Sequence, residues 1–198
     1  MSILSIGSDF FGLDIGTSAV RVVQMRGGKN KTLVRYGSVD IDPKISRSDA
    51  AADQHKLGEA IKQVISQSGV TTNNVAVGIP SQKVFSTVVD VDRLSPAELE
   101  KTIRFQADSL IPTPLSESKI DWALLGESPK EPNKVELLLS SVSNNFVESR
   151  LDLLEQIGLN VIAFEPDSLA LTRSLLAPDA VEPTLILDMG DLATDLVI

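Results

Sequence analysis

Leu13-Asp14-Ile15-Gly16-Thr17-Ser18-Ala19-Val20-Arg21-Val22-Val23 has an echo near the far end of the chain, Leu187-Asp188-Met189-Gly190-Asp191-Leu192-Ala193-Thr194-Asp195-Leu196-Val197. In both, an apolar run ends in an Asp, a Gly follows two positions later, and a second apolar run returns. The second turn reads as one residue longer. A single Asp-x-Gly turn carries little weight, because Gly and Asp are ordinary turn residues. Two of them closing matched apolar strands, 188 − 14 = 174 positions apart, point to two related half-structures.

The chemistry open to such a hairpin follows from its residue types. Gly16 permits close backbone approach to a ligand, successive amides from Gly16 to Ser18 can form an anion-binding nest, and the Thr17 and Ser18 hydroxyls add donors. Arg21 adds positive charge nearby. Asp14 and Asp188 would oppose a phosphate unless a cation intervenes, and Mg2+ held through water by one or two carboxylates is the usual solution. Two facing hairpins would therefore clamp a Mg-nucleotide, with Gly16, Thr17, Ser18, Arg21 and Gly190 toward the phosphates and Asp14 and Asp188 toward the metal. Asp191 puts a further carboxylate in the second turn, which weakens anion binding unless it points away.

Outward from the first hairpin, 10–15, 19–25 and 33–41 read as three antiparallel strands, and 43–53 as a polar loop. Leu57, Ile61, Val64 and Ile65 share one helical face, with Gly69 at the C-cap, and the chain then enters a buried strand at 75–79. From about Ser81 the pattern changes. A strand carries Phe85, Thr87, Val89 and Val91 on one face, and Ser95-Pro96-Ala97-Glu98 is a capping box that opens a helix to about Leu110. Strands at 120–125 and 135–142 and a helix at 145–157, stopped by Gly158, complete a β-α-β-β-α unit. The chain then returns to strand 160–164, a helix over 166–176 opened by Glu165-Pro166, and strand 184–188. The class is α/β, a mixed sheet covered by helices. The expected organisation is a core from 1–82 and 158–182, an inserted subdomain at 83–157, and the start of a second lobe at 183–198.

Composition removes several functions. The net charge of −9 and 4% aromatic content oppose nucleic-acid binding and attraction to anionic lipid. With no cysteine and a single His55, disulfides and thiolate or histidine metal centres are excluded as the organising chemistry. No apolar run reaches membrane-spanning length and the N-terminus lacks a secretory pattern, so the expected location is cytoplasmic. Trp122 reads as core of the inserted subdomain; Glu98, Glu100, Glu148 and Asp152 read as solvated helix faces.

The stretch from Phe11 to Arg21 resembles the first phosphate motif of the superfamily of actin, heat-shock chaperones and sugar kinases, and Leu187-Asp188-Met189-Gly190 resembles its second. Glu165-Pro166 looks like the connecting motif in which chaperones and MreB carry a Glu-Pro pair. There the acid orients the water that attacks the γ-phosphate, so the resemblance implies that catalytic role for Glu165. An acid and a proline also suit any helix start. Within the superfamily, Phe105-Gln106-Ala107-Asp108-Ser109-Leu110-Ile111-Pro112-Thr113-Pro114-Leu115, followed by Ile120-Asp121-Trp122, is similar to the PilM family of type IV pilus assembly. Val77-Gly78-Ile79-Pro80, Leu94 to Leu99, and Val147 through Arg150-Leu151 to Gly158-Leu159 extend the resemblance over nearly the whole chain.

The resemblance implies an actin-like (ribonuclease H-like) first lobe with an inserted FtsA-type subdomain, truncated at the start of the second lobe. It implies a cytoplasmic scaffold that binds ATP and Mg2+ between lobes and is at most a weak ATPase. Its implied partners are the cytoplasmic N-terminal tail of a PilN-like inner-membrane protein, pilus motor or platform proteins, and a second copy through self-association. Nucleic acid is not among them, and the membrane is met only through partners, at the inner face. The alternatives are an FtsA-like cell-division protein and a nucleotide-independent peptide adaptor.

Overall fold

A computed structural model describes residues 9–28, 31–177 and 179–198. The side chains of Pro96, Phe105, Gln106 and Ala107, part of the capping box and of the PilM-like stretch, lie outside the described residues. The chain divides into two compact units. One comprises 9–81 with 150–198, the other Gln82–Ser149.

The first unit is built on a five-stranded sheet. Strands β1 (Phe11–Ile15), β2 (Ala19–Arg26) and β3 (Thr32–Asp40) run antiparallel, while β4 (Asn74–Ile79) and β8 (Asn160–Pro166) continue parallel to β1, giving the order β3-β2-β1-β4-β8. The period-two alternation of an open sheet decides which side chains go in. Phe11, Leu13, Ile15, Val20, Val22, Val75 and Val77 are buried on one face, and Gly12, Asp14, Arg21, Val23, Ala76 and Gly78 fall on the other. Helix α2 (Ala51–Ser68) carries the chain from β3 to β4 and lays Leu57, Ile61 and Val64 on the apolar face. It ends at Gly69, whose φ of 69° supplies the left-handed C-cap and whose N–H reaches the Ile65 carbonyl. Gly58 sits in that helix because its neighbour is close. A Cβ there would be 3.2 Å from Ile157 and 3.3 Å from Leu153.

Two local features depart from the sequence pattern. Residues 43–53 are not a continuous loop, since α1 occupies Pro43–Arg47 before α2 begins at Ala51. Asp42 caps α1 by accepting from the Lys44 N–H at 2.8 Å, and Pro43 takes the first turn, where its missing N–H costs nothing. A five-residue helix is too short to show periodicity. Glu165 and Pro166 do not open the following helix either. They are the last residues of β8, opposite Gly78 and Ile79, and α5 (Asp167–Leu175) starts at Asp167. Pro166 is tolerated because β8 is an edge strand.

The second unit is an antiparallel sheet of β5 (Val84–Asp92), β7 (Lys134–Ser143) and β6 (Ser118–Glu127), in the order β5-β7-β6, with α3 (Pro96–Leu110) against one face. Val91, Leu99, Ile103, Ile111, Val135, Leu137 and Leu139 form its core, and Trp122 is partly buried against it. The Glu98 half of the capping box at α3 is formed: Glu98 Oε2 accepts from the Ser95 backbone N–H at 3.1 Å and, in place of the reciprocal bond, from the Ser95 hydroxyl at 2.6 Å. Helix α4 (Asn144–Gln156) begins in this unit. From Arg150 onward it belongs to the first, where Leu153 and Leu154 are buried beside the α2 side chains. The last two strands, β9 (Ile186–Met189) and β10 (Thr194–Val197), form a separate two-stranded ribbon within the first unit.

Candidate functional site

The two hairpins match more closely than their sequences suggest. In the first, Ile15 pairs with Val20 and the turn Gly16-Thr17-Ser18-Ala19 is closed by the Gly16 N–H donating to the Ala19 carbonyl at 3.0 Å. In the second, Met189 pairs with Thr194 and the Gly190 N–H donates to the Ala193 carbonyl at 2.9 Å. Both turns contain four residues, so the extra residue expected in the second is absent. A Cβ at Gly16 would lie 3.1 Å from the Ala19 oxygen, and one at Gly190 would lie 3.3 Å from the Ala193 oxygen. Glycine is needed at both places for the tightness of the turn.

The nest expected to begin at the Gly16 amide loses that donor to turn closure. What the fold supplies is a brace on the carbonyl side. The Ser46 hydroxyl donates to the Thr17 oxygen at 3.0 Å and the Ile41 N–H to the Ser18 oxygen at 2.8 Å. Because a trans peptide sets C=O and the following N–H on opposite sides, this turns the Ser18 and Ala19 amides away from the brace. Helix α1, unseen in the sequence pattern, is what delivers Ser46.

The shared register puts Asp14 across from Arg21 and Asp188 across from Asp195. Arg21 Nη1 lies 3.1 Å from Asp14 Oδ2, an ion pair with both side chains about half exposed. The second hairpin instead sets two carboxylates face to face, which is unfavourable across a strand pair without a counter-charge. Asp191 is exposed in its turn.

Asp167 lies within the field of both hairpins. It opens α5 with its carboxyl partly buried, and burial first, then the charges of Asp14, Asp188, Asp195 and Glu165, raise its pKa from 3.8 to about 7. Gly78 leaves the space that this carboxyl fills, since a Cβ there would overlap Asp167 Oδ1 and displace the side chain. Glu165 Oε1 has Arg173 Nη1 of α5 as its ionic neighbour but accepts no hydrogen bond, and its side chain is largely buried. Asp14, Gly16, Thr17, Ser18 and Arg21 thus lie on the first hairpin and Asp188 and Gly190 on the second, while Asp195 and Asp167, which the sequence pattern did not single out, share their neighbourhood. Gly78, a glycine inside a buried strand, was the available signal that something approaches closely there.

The donor set can be weighed against a cation. Five carboxylates, Asp14, Asp167, Asp188, Asp195 and Glu165, share one neighbourhood, and Arg21 and Arg173 offset two of them. Among the described residues no group of three or more His, Cys, Asp or Glu side chains is set to hold a metal directly. The arrangement suits a divalent cation held through water by one or two carboxylates, as Mg2+ commonly is, and the mutual repulsion at Asp167 is what such a cation would relieve.

A family model described as Type IV pilus assembly protein PilM matches residues 12–198. Among solved structures, the chain is similar to a chain of the PilM-PilN type IV pilus biogenesis complex, at 25% sequence identity and a TM-score of 0.83, with 96% of this chain and 57% of that one covered. It also resembles in fold the cytoplasmic domain of EpsL, an inner membrane component of the type II secretion system of Vibrio cholerae. There the identity is 15% and the TM-score 0.52, over 96% of this chain and 71% of that one. The chain thus spans 57% of the length of the pilus protein it matches.

Proposed function

The chain belongs to the type IV pilus assembly protein PilM family and has an actin-like α/β fold, and from that premise we propose that it serves type IV pilus biogenesis as a nucleotide-responsive scaffold. The observation that carries the nucleotide half is the pair of hairpins with turns of the same length and closure and an Asp at the same register position in each, both acting on Asp167. In this reading the Ser18 and Ala19 amides and the Thr17 hydroxyl receive phosphate oxygens, and Arg21 offers them its guanidinium fork. Asp14 and Asp188 are the residues that would hold Mg2+. Bound Mg2+ would supply charge neutralisation on the phosphates. Glu165, whose buried Oε1 has Arg173 nearby but accepts no hydrogen bond, takes the water-orienting role that the resemblance implies, with Asp167 beside it as a carboxyl suited to exchanging a proton near neutrality. Turnover at such a site is at most slow, and the nucleotide acts chiefly by favouring one arrangement of the protein over another.

The partner half rests on the solved complex, in which the matched protein is assembled with PilN. We take the partner of this chain to be the cytoplasmic tail of a PilN-like membrane protein, so that the chain meets the inner membrane through it. Among the described residues no helix is long and apolar enough to cross a membrane. A groove on the second unit, lined by Lys83, Phe85, Pro112, Thr113, Ser141 and Ser143, has the mixture of apolar wall and hydroxyls that an extended peptide needs.

Calorimetry of Mg-ATP binding to the intact protein, with Asp14→Ala as control, tests the first half, and absence of binding at millimolar ATP would sink it. Binding of the tail peptide by the wild type and by Phe85→Asp tests the second. A peptide that binds both proteins equally removes the groove from consideration.

A further inference from the structure

Arg21 touches both parts of the candidate site at once. It stands on β2 directly across from Asp14, with Nη1 3.1 Å from the carboxylate, and the same nitrogen is 3.1 Å from the position a Cβ would take on Gly16. The guanidinium thus lies over the glycine of the first turn while neutralising the aspartate that a cation would use. The second hairpin shows that this is a choice rather than a requirement of the turn. Its geometry is the same, yet its equivalent position carries Asp195, which adds a negative charge instead of removing one.

We propose that Arg21 is an internal counter-ion that competes with a divalent cation for Asp14 and is drawn off when a phosphate anion occupies the first turn, so that cation and anion enter cooperatively. The inference rests on the Mg-nucleotide reading and adds a mechanism of regulation to it. The physics is one of like charges. A divalent cation approaching Asp14 alone meets a guanidinium already on the carboxylate and is repelled by it. A phosphate offers the guanidinium several oxygens in fork geometry, a stronger partner than one carboxylate oxygen. Movement of Arg21 to the phosphate frees Asp14, and by linkage each ligand then strengthens the other by the same factor. The Arg21–Asp14 pair is half exposed, so the factor is modest, about two- to fivefold.

The test measures two probes separately on the intact wild type and on Arg21→Gln: Mn2+ alone, followed by electron paramagnetic resonance, and inorganic triphosphate in EDTA, followed by calorimetry. Asp14→Asn locates the Mn2+ signal, which it should abolish. Arg21→Gln is expected to bind Mn2+ about two- to fivefold more tightly and triphosphate more weakly. Opposite movements of the two affinities cannot come from simple damage to the hairpin, which would weaken both. Mn2+ affinity that stays unchanged, or falls together with triphosphate affinity, overturns the counter-ion role and leaves the nucleotide reading standing. A wild type that binds neither probe at millimolar concentration, or an Mn2+ signal that survives in Asp14→Asn, overturns both.

Discussion

Replacing Asp167 by Asn tests the electrostatic centre of the site without any ligand. A folded-state pKa of about 7 against 3.8 for the free carboxyl means that the folded protein keeps this proton across the whole interval while the unfolded chain has released it. The folded state therefore binds more protons between those values, and stability falls as pH rises through the window, then levels off above about pH 7. At roughly 1.4 kcal/mol per pH unit the full interval corresponds to about 4 kcal/mol. Water still reaches the half-buried carboxyl, and screening reduces the expected effect to about 2 kcal/mol. Asn has the shape of the protonated acid and cannot ionise. Asp167→Asn should then match the wild type near pH 4 and exceed it by about 2 kcal/mol at pH 8. The assay must read the first unit, and the sole tryptophan, Trp122, reports the second. Native-state amide hydrogen exchange in β1 and β4, corrected for intrinsic rates, serves instead. A difference between variant and wild type that does not change from pH 4 to pH 8, or that favours the wild type at pH 8, refutes the account of Asp167.

Gly78→Ala should push the Asp167 carboxyl from its place, since the added Cβ would overlap Oδ1. A loss of about 1–3 kcal/mol is expected by the same exchange measurement, with the Asp167 pH dependence diminished. Leu154→Ala, deleting a fully buried side chain between α4 and the sheet, should cost about 2–5 kcal/mol in the first unit. The Ser95 hydroxyl first, and its backbone N–H second, hold the Glu98 carboxyl below its usual range. The stability this gives α3 is present above the unfolded value and is lost as pH falls through the lower folded one. Ser95→Ala should therefore raise exchange in the first turn of α3 at pH 6, by a factor that shrinks as pH falls through the Glu98 titration.

The strands and long helices were legible because their signals are local. Leu57, Ile61 and Val64 recur at helical spacing, Phe11, Leu13 and Ile15 alternate, and Gly69 and the Ser95–Glu98 box mark a helix end and a helix start by their own chemistry. What was not legible depends on neighbours distant in sequence. Helix α1 is one turn and a half with no stripe to read, and only the Asp42-Pro43 cap could have revealed it. Glu165-Pro166 has the residue types of a helix start, but pairing of Glu165 with Gly78 and of Pro166 with Ile79 extends β8 to that point and hands the first helical position to Asp167. Two residues of register thus decide which acid faces Asp14 and which pairs with Arg173.

The same limit explains the contrast between the hairpins themselves. Leu13, Ile15 and Val22 are buried, whereas their counterparts Leu187, Met189 and Leu196 are each more than half exposed. The apolar pattern that made both segments strands says nothing about what lies on them. In the first hairpin the answer is α2, with Leu57, Ile61 and Val64; among the described residues no helix does the same for the apolar face of the second. A two-stranded ribbon is marginal when it stands alone, so Ile186, buried on the opposite face from Leu187, must anchor it. That face also carries Asp188 and Asp195, placed beside Asp167 by the alternation of the strand. Anchoring the ribbon and gathering the carboxylates are thus one structural act. A substitution that loosens Ile186, such as Ile186→Ala, should lower the Asp167 pKa part of the way from about 7 as the two aspartates move away, burial and Asp14 holding the rest of the shift. Carboxyl-carbon NMR titration of Asp167 reads this directly, and an unchanged midpoint would refute the coupling between the Ile186 anchor and the Asp167 carboxyl.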